Sequence, residues 1–379
     1  MNMNNRVILF GLLSVFILSI NCNAQIISNA PQTDNVRKTG SINPIRNMNT
    51  NRAAHTATLL KNGKVLVAGG FTGDQSSLAS AEIFDSLTNN FSNTNNMSVS
   101  RAGHTATLLP DGNVLIAGGY NGDYLDSAEI YDVKTGKFTA AGKMTMARSE
   151  HIAVLLKNGK VLFAGGVGTG WTFLDDAEIY DPATDIFSKT GNMLAARESH
   201  SATLLENGNV LITGGHKGRR SAVLIYQSAE IYHPSNGTFS EAGNLTVKRH
   251  KHSAVLLNDG RVLIVGGSDE RDSRGAYSTA EIYDPKTKIF VKTGDMNLSR
   301  YKLNGTSVLL HNGKILIAGG ADQAEIFDPA NETFQLAAGR FETARLFATA
   351  TLLQNGRVLI IGGYDNRNDI SKRAWIFMT

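Results

Sequence analysis

The run VKRHKHSAVLL, residues 247–257, sets Lys248, Arg249, His250, Lys251 and His252 side by side ahead of an apolar stretch. Residues of these types could ligate a metal through paired imidazoles or grip an anion through clustered cations. More cations stand in two other stretches: HKGRRSAVLIYQS offers His216, Lys217, Arg219 and Arg220, and SDERDSRGAYST offers Arg271 and Arg274 among Asp269, Glu270 and Asp272. Tyr301 and Lys302 follow Arg300. Aromatic side chains that could stack on a sugar ring or anchor a peptide occur as Trp171 and Phe173 in VGTGWTFLDD and as Tyr120 and Tyr124 in YNGDYLDS. What these groups can do depends on the elements that hold them.

Those elements repeat. A diglycine recurs at 69–70, 118–119, 165–166, 214–215, 266–267, 319–320 and 362–363, with spacings of 49, 47, 49, 52, 53 and 43 residues. In the second unit, Met97 leads through Arg101 and His104 into TATLL, then PDGN, VLIAGG, a variable loop, SAEIYD and a last strand at Phe138. The Asp-Gly here, and the Asn-Gly of most other units, predict a two-residue hairpin with positive φ at both central residues. Four short strands per unit follow, with no helical period. A sheet this small buries both faces only if its neighbours stack radially about an axis, so the chain reads as all-β, a seven-bladed β-propeller of four-stranded blades.

The apolar strand ending in Gly-Gly, followed by Tyr131 and by Phe138 seven positions later, resembles the Kelch repeat, with Phe in place of its usual Trp. The resemblance covers roughly residues 36 to 379 and implies Kelch-type blades; a propeller hosts many activities, so it implies no particular one. The last unit ends at its third strand, AWIFMT, and Val36-Arg37-Lys38-Thr39-Gly40 is similar to Phe290-Val291-Lys292-Thr293-Gly294, a fourth strand. The N-terminal segment is therefore expected to complete the seventh blade and close the ring.

A residue present in every blade is more readily structural than catalytic. Arginine precedes the first strand in all seven units, at Arg52, Arg101, Arg148, Arg197, Arg249, Arg300 and Arg345. Glutamate opens the third strand in six, at Glu82, Glu129, Glu178, Glu230, Glu281 and Glu325, with Trp375 in the seventh. A repeated Arg–Glu ion pair is expected, leaving Arg345 free to act elsewhere. His55, His104, His151, His200 and His252 lie three residues after the arginine, replaced by Leu303 and Ala348 in the last two units. Ring positions on different blades are too far apart to share a metal, so a hydrogen bond within the blade is expected, with no metal. Of the opening cluster, Arg249 and His252 then belong to the repeat, and Lys248, His250 and Lys251 are additions.

Function is sought where the units differ, in the loops between second and third strands, which emerge on the same face as the Arg-x-x-His connections. There a basic sector of blades four to six faces an aromatic sector of blades two and three and would attract an anionic ligand. Off-pattern acids on that face are Asp74, Asp123, Asp126, Asp175, Asp176, Asp269, Glu270, Asp272, Asp322 and Asp365, and spacing alone does not say which converge.

At 379 residues with 42% hydrophobic and 18% charged, the chain is long enough for a large core. Arg6, the apolar stretch Val7 to Ile20 and the small or polar residues after it read as a secretory signal over residues 1–24. Cleavage either precedes Cys22, with LSINC resembling a relaxed bacterial lipobox and Cys22 lipidated, or follows Ala24. Residues 25–35 would be a polar tether. Without Arg6, 36 basic side chains stand against 33 acidic ones, too small an excess to suggest nucleic acid. No serine elbow, phosphate loop or metal spacing calls for a cofactor.

The sequence therefore favours an exported, monomeric interaction module of a bacterial cell envelope, binding an anionic protein or glycan, periplasmic or secreted unless Cys22 anchors it. The alternative is a carbohydrate-active enzyme, since the chain is similar in size and architecture to exported Kelch sialic acid epimerases. Resemblance to galactose oxidase fails at the chemistry: its copper-radical site needs a cysteine cross-linked to tyrosine, and Cys22 is the only cysteine.

Overall fold

The computed structural model describes residues 40–74, 76–219, 222–269 and 275–379. The signal, Cys22, the tether, Val36 to Thr39, Arg220, Glu270, Arg271, Asp272 and Arg274 lie outside the described residues. Seven four-stranded antiparallel sheets form the blades. Blade 2 is representative: Thr105–Leu108, Val114–Ala117, Ala128–Asp132 and Lys137–Ala140, in chain order across the sheet. The first strand of each blade touches the first strands of its neighbours right round the ring, Thr349–Leu352 of blade 7 meeting Thr56–Leu59 of blade 1.

The burial follows the sequence pattern. Second strands such as Val65–Ala68 and Val358–Ile361 are buried at every residue, which explains their unbroken apolar runs. One apolar cluster fills each interface between blades; that of blades 7 and 1 joins Met48, Val65, Phe84, Leu359 and Ile376. Blade 7 is completed by an N-terminal strand, as expected, but the strand is Ser41–Pro44, just beyond the segment singled out by similarity, and pairs with Ala374–Met378 in the register Ile42↔Phe377.

The hairpin expectation is corrected. Gly63 adopts φ 80° while Asn62 does not enter the left-handed region, the Gly63 amide donates to the Leu60 carbonyl at 3.0 Å, and the Leu60 amide to the Lys64 carbonyl at 2.8 Å. This is a turn followed by a glycine bulge, with the Asn62 side chain accepting from the Lys64 amide at 3.1 Å. Asn caps this turn through its side chain and needs no positive φ.

The repeated Arg–Glu pair is present in blades 1 to 6, at 2.5 to 3.0 Å, with the arginines fully buried. In blade 2, Arg101 also donates to the carbonyls of Gly118 and Ser127, and Glu129 accepts from the amides of Ser98 and Val99 in the segment arriving from blade 1. The pair thus ties the incoming connection to the second and third strands of its blade. The arginine backbone makes the complementary link: the second glycine of each diglycine donates to the arginine carbonyl of the next blade, from Gly70 to Arg101 at 2.9 Å round to Gly363 and Arg52 at 3.0 Å. A Cβ on Gly69 would stand 2.6 Å from that Arg101 oxygen, so the first glycine cannot be replaced without displacing backbone.

Arg345 is not free. Trp375 takes the place of the missing glutamate, the guanidinium sits 5.1 Å from the centre of its ring, and Glu342 lies 3.6 Å away. Removing the carboxylate in another blade strands a buried guanidinium. Glu129→Ala is expected to cost about 3–5 kcal/mol in chemical denaturation; a loss under about 1 kcal/mol would show that the pair does not hold the blade.

Candidate functional site

The connection entering each blade turns at the second residue after its arginine. These seven residues, Ala54, Gly103, Glu150, Ser199, Lys251, Lys302 and Phe347, all adopt the left-handed region, with φ between 49° and 62°. Six of them carry a side chain where that conformation is uncommon, and the strain is offset by hydrogen bonding. Backbone bonds cross six of the seven junctions between blades here, among them Gly103 to Ala54 at 3.2 Å, Glu150 to Gly103 at 3.0 Å and Lys251 to Ser199 at 2.9 Å. The result is a collar at the mouth of the axial channel, symmetric in backbone and asymmetric in side chain.

Beside the collar lies a pocket of about 410 Å³. Collar residues Gly103, Glu150, Ser199, Lys251 and Phe347 line it, together with the aromatic side chains of blades 2 and 3 and polar groups of blades 4 and 5. Tyr120, Tyr124 and Trp171 form a chain of edge contacts with ring centres 5.2 and 5.7 Å apart. The Arg219 guanidinium lies 2.9 Å from the centre of the Trp171 ring, so the basic and aromatic sectors interlock instead of facing each other across a gap. Two short ribbons support them: Val167–Gly168 with Thr172–Phe173, and His216–Lys217 with Leu224–Ile225.

His216 and His250 are buried and linked Nδ1 to Nδ1 at 3.0 Å, while His216 Nε2 meets Glu198 Oε1 at 3.0 Å. Phe173 packs against His216 with ring centres 6.0 Å apart. Carboxylate and imidazoles thus form a linear hydrogen-bonded chain in the pocket wall.

Charge on the collar is tuned by burial. Glu150 keeps part of its surface open to the pocket, yet the surrounding walls raise its carboxyl pKa to about 7, reinforced by Glu198 and opposed by Lys251 and Lys302. Burial lowers the Lys302 amine to about 8, with the like charge of Lys251 adding to the effect and Glu150 opposing it. Tyr124 is raised to about 12, chiefly by burial.

Of the residues singled out from sequence, Tyr120, Tyr124, Trp171, His216, Arg219, His250 and Lys251 line the pocket. Phe173 backs it, and Lys302 adjoins it through Phe347. Tyr301 is buried beneath Lys302. Lys217 and Lys248 are exposed and line no part of it.

Among the described residues, none of the off-pattern acids lines the pocket. Asp176 pairs with Arg148 at 2.5 Å, Asp322 with Arg340 at 2.9 Å, and Asp365 caps its own loop. The acids that do line it, Glu150 and Glu198, sit two and one residues after a repeat arginine, within the repeated connection. The available signal was a charged residue at a position where other blades carry alanine or glycine.

The repeat histidines are also corrected. Four of the five bond across blades: His104 Nε2 to Thr56 Oγ1 and His151 Nε2 to Thr105 Oγ1 at 3.1 Å, His55 to Thr349 at 3.1 Å, and His252 to Thr213 at 2.8 Å. All five are held neutral, principally by burial and next by the neighbouring arginine, with His104 and His200 lowered to about 3.

Residues 32–215 match the KLHDC2/KLHL20/DRC7 Kelch-repeats domain, and residues 249–297 match the Kelch motif. The chain is a Kelch-type β-propeller. Among solved structures, it is similar to a fungal alcohol oxidase of the AA5 family in complex with copper, at 18% identity and a TM-score of 0.73, covering 89% of this Kelch propeller and 76% of the oxidase. At that identity the likeness concerns the fold alone. No curated protein matches the chain. The oxidase's copper finds no counterpart in the donor set: among the described residues no three His, Cys, Asp or Glu side chains are grouped to hold a metal ion.

A histidine whose folded pKa lies below its unfolded value of 6.5 favours folding above that pH, and its contribution is lost as pH falls from 6.5 towards 3. Glu150 acts oppositely, its penalty growing as pH rises from 4.5 to about 7. Urea unfolding at pH 7 and pH 5 should therefore show lower stability at pH 5, each neutral histidine contributing up to about 1.4 kcal/mol per pH unit. His104→Gln should reduce that slope by about one proton, and an unchanged slope would contradict the assignment.

Proposed function

We propose that this Kelch propeller is a binding module whose loop-face pocket takes an anionic group presented by a protein or polysaccharide of a bacterial cell envelope. One observation carries the reading: Lys251 and Arg219 border the same pocket as the Tyr120–Tyr124–Trp171 wall, so charge neutralisation and ring stacking act on one ligand. Kelch propellers generally bind protein partners, which supports the module, and the apolar stretch Val7 to Ile20 with Cys22 supports export and an optional lipid anchor. The rigid collar suits recognition, because pre-organised side chains lose little entropy when they bind.

A second reading, catalysis on a sugar ring, draws on two carboxyl groups, Glu150 and Glu198, lining one pocket, with Glu150 raised to about 7 and the Lys302 amine lowered to about 8. Turnover of N-acylated amino sugars followed by NMR, abolished by Glu150→Gln, would favour it over simple binding.

Calorimetry with a glutamate-rich peptide and a uronic-acid oligosaccharide tests the main reading and separates protein from glycan. Lys251→Ala and Arg219→Ala should each weaken binding about tenfold or more, as expected for losing a charged hydrogen bond, and affinity should fall with salt. Lys217→Ala and Lys248→Ala should change it less than about twofold. Equal effects from all four variants would place the ligand elsewhere.

A further inference from the structure

Lys302 occupies one collar position and Lys251 its equivalent in the preceding blade. The Lys302 Nζ lies 4.9 Å from the ring centres of Tyr301 and Tyr364 and 5.5 Å from that of Phe347, and it donates to the Tyr364 hydroxyl. Three aromatic faces stand where water would surround an ordinary surface ammonium. The charged groups that act on it are Lys251 and Glu150. Cation–π attraction offsets part of the cost of keeping the charge, but burial and the second lysine prevail. At pH 7.5 an amine held at about 8 is neutral in about one molecule in four, against about one in a thousand for an ordinary lysine. The left-handed backbone and the bond from the Phe347 amide to the Lys302 carbonyl fix where the side chain starts.

We propose that Lys302 is a reactive amine that captures a carboxylate-bearing aldehyde or ketone as an imine. The inference deepens the reading of the loop-face pocket as the ligand site and rests on it. The neutral Nζ adds to the carbonyl carbon, giving a carbinolamine. Its hydroxyl leaves as water, taking a proton from Glu150, and the C=N bond forms as nitrogen gives up its remaining proton, which restores Glu150. Amine and carbonyl become imine and water, with no oxidant or reductant. Lys251 supplies the positive charge opposite the ligand's carboxylate.

The test is reductive trapping of the full chain with glyoxylate and cyanoborohydride at pH 7.5, with the label located by peptide mass mapping. Lys302 should be carboxymethylated at least about tenfold faster than the exposed Lys217 and Lys248. Glu150→Gln should slow labelling several-fold. Lys302→Arg keeps the charge and should abolish fast labelling, whereas Lys217→Arg, outside the pocket, should leave labelling of Lys302 within about twofold. Labelling of Lys302 no faster than of the exposed lysines overturns the proposal. If that occurs while the acidic probes still bind through Lys251, the imine falls and the binding reading stands; if the probes also fail to bind, both fall.

Discussion

A buried guanidinium needs its charge compensated, and that requirement organises the propeller. In each of the first six blades the arginine answers it with a glutamate from the third strand and the carbonyl of its own first diglycine residue. The glutamate is completed by amides of the chain arriving from the previous blade. The arginine's own carbonyl then receives the previous blade's second glycine. One residue type therefore fixes the connection, the strand spacing and the approach of neighbouring blades, and the blades cannot slide relative to one another without exposing or orphaning charge. Blade 7, built from both ends of the propeller, replaces the carboxylate with Trp375 and keeps the cation through its ring and Glu342.

Because these polar ties hold the connections, two residues further on the backbone can stay in a costly conformation that it would otherwise leave. The collar results. Its backbone repeats seven times while its side chains run Ala, Gly, Glu, Ser, Lys, Lys, Phe. Stability resides in what repeats, and chemistry in what does not. Glu150 and Lys302 show the consequence: the same burial raises one group and lowers the other, drawing a carboxyl and an amine towards the same pH range.

The architecture was legible in the sequence because each blade restates it. The diglycine, the Arg and Glu positions and the truncated last unit together contain the ring, its closure and its repeated ion pair. Errors arose where the chain does something once or does it across blades. The strand closing the ring begins at Ser41, one step past the segment chosen by similarity, because pairing with Ala374–Met378 decides the register. Four of the five histidines bridge blades, a relation that the linear order of one repeat does not display. The loop acids break the pattern, yet Asp176 and Asp322 are taken up by nearby arginines and Asp365 by backbone amides, whereas Glu150 and Glu198 are concealed inside the repeat itself. Arg219 and Trp171, widely separated in sequence, meet only because their loops lean together over the pocket.

The central claim is that ligand recognition belongs to the asymmetric collar and its pocket, and not to the repeated scaffold. Hydrogen–deuterium exchange of the full chain with and without a bound acidic ligand tests this most directly. The account predicts new protection at residues 147–151, 197–200, 216–219 and 249–252, with the hairpin turns at the opposite ends of the blades unchanged. Protection confined to those turns or to the outermost strands would contradict it.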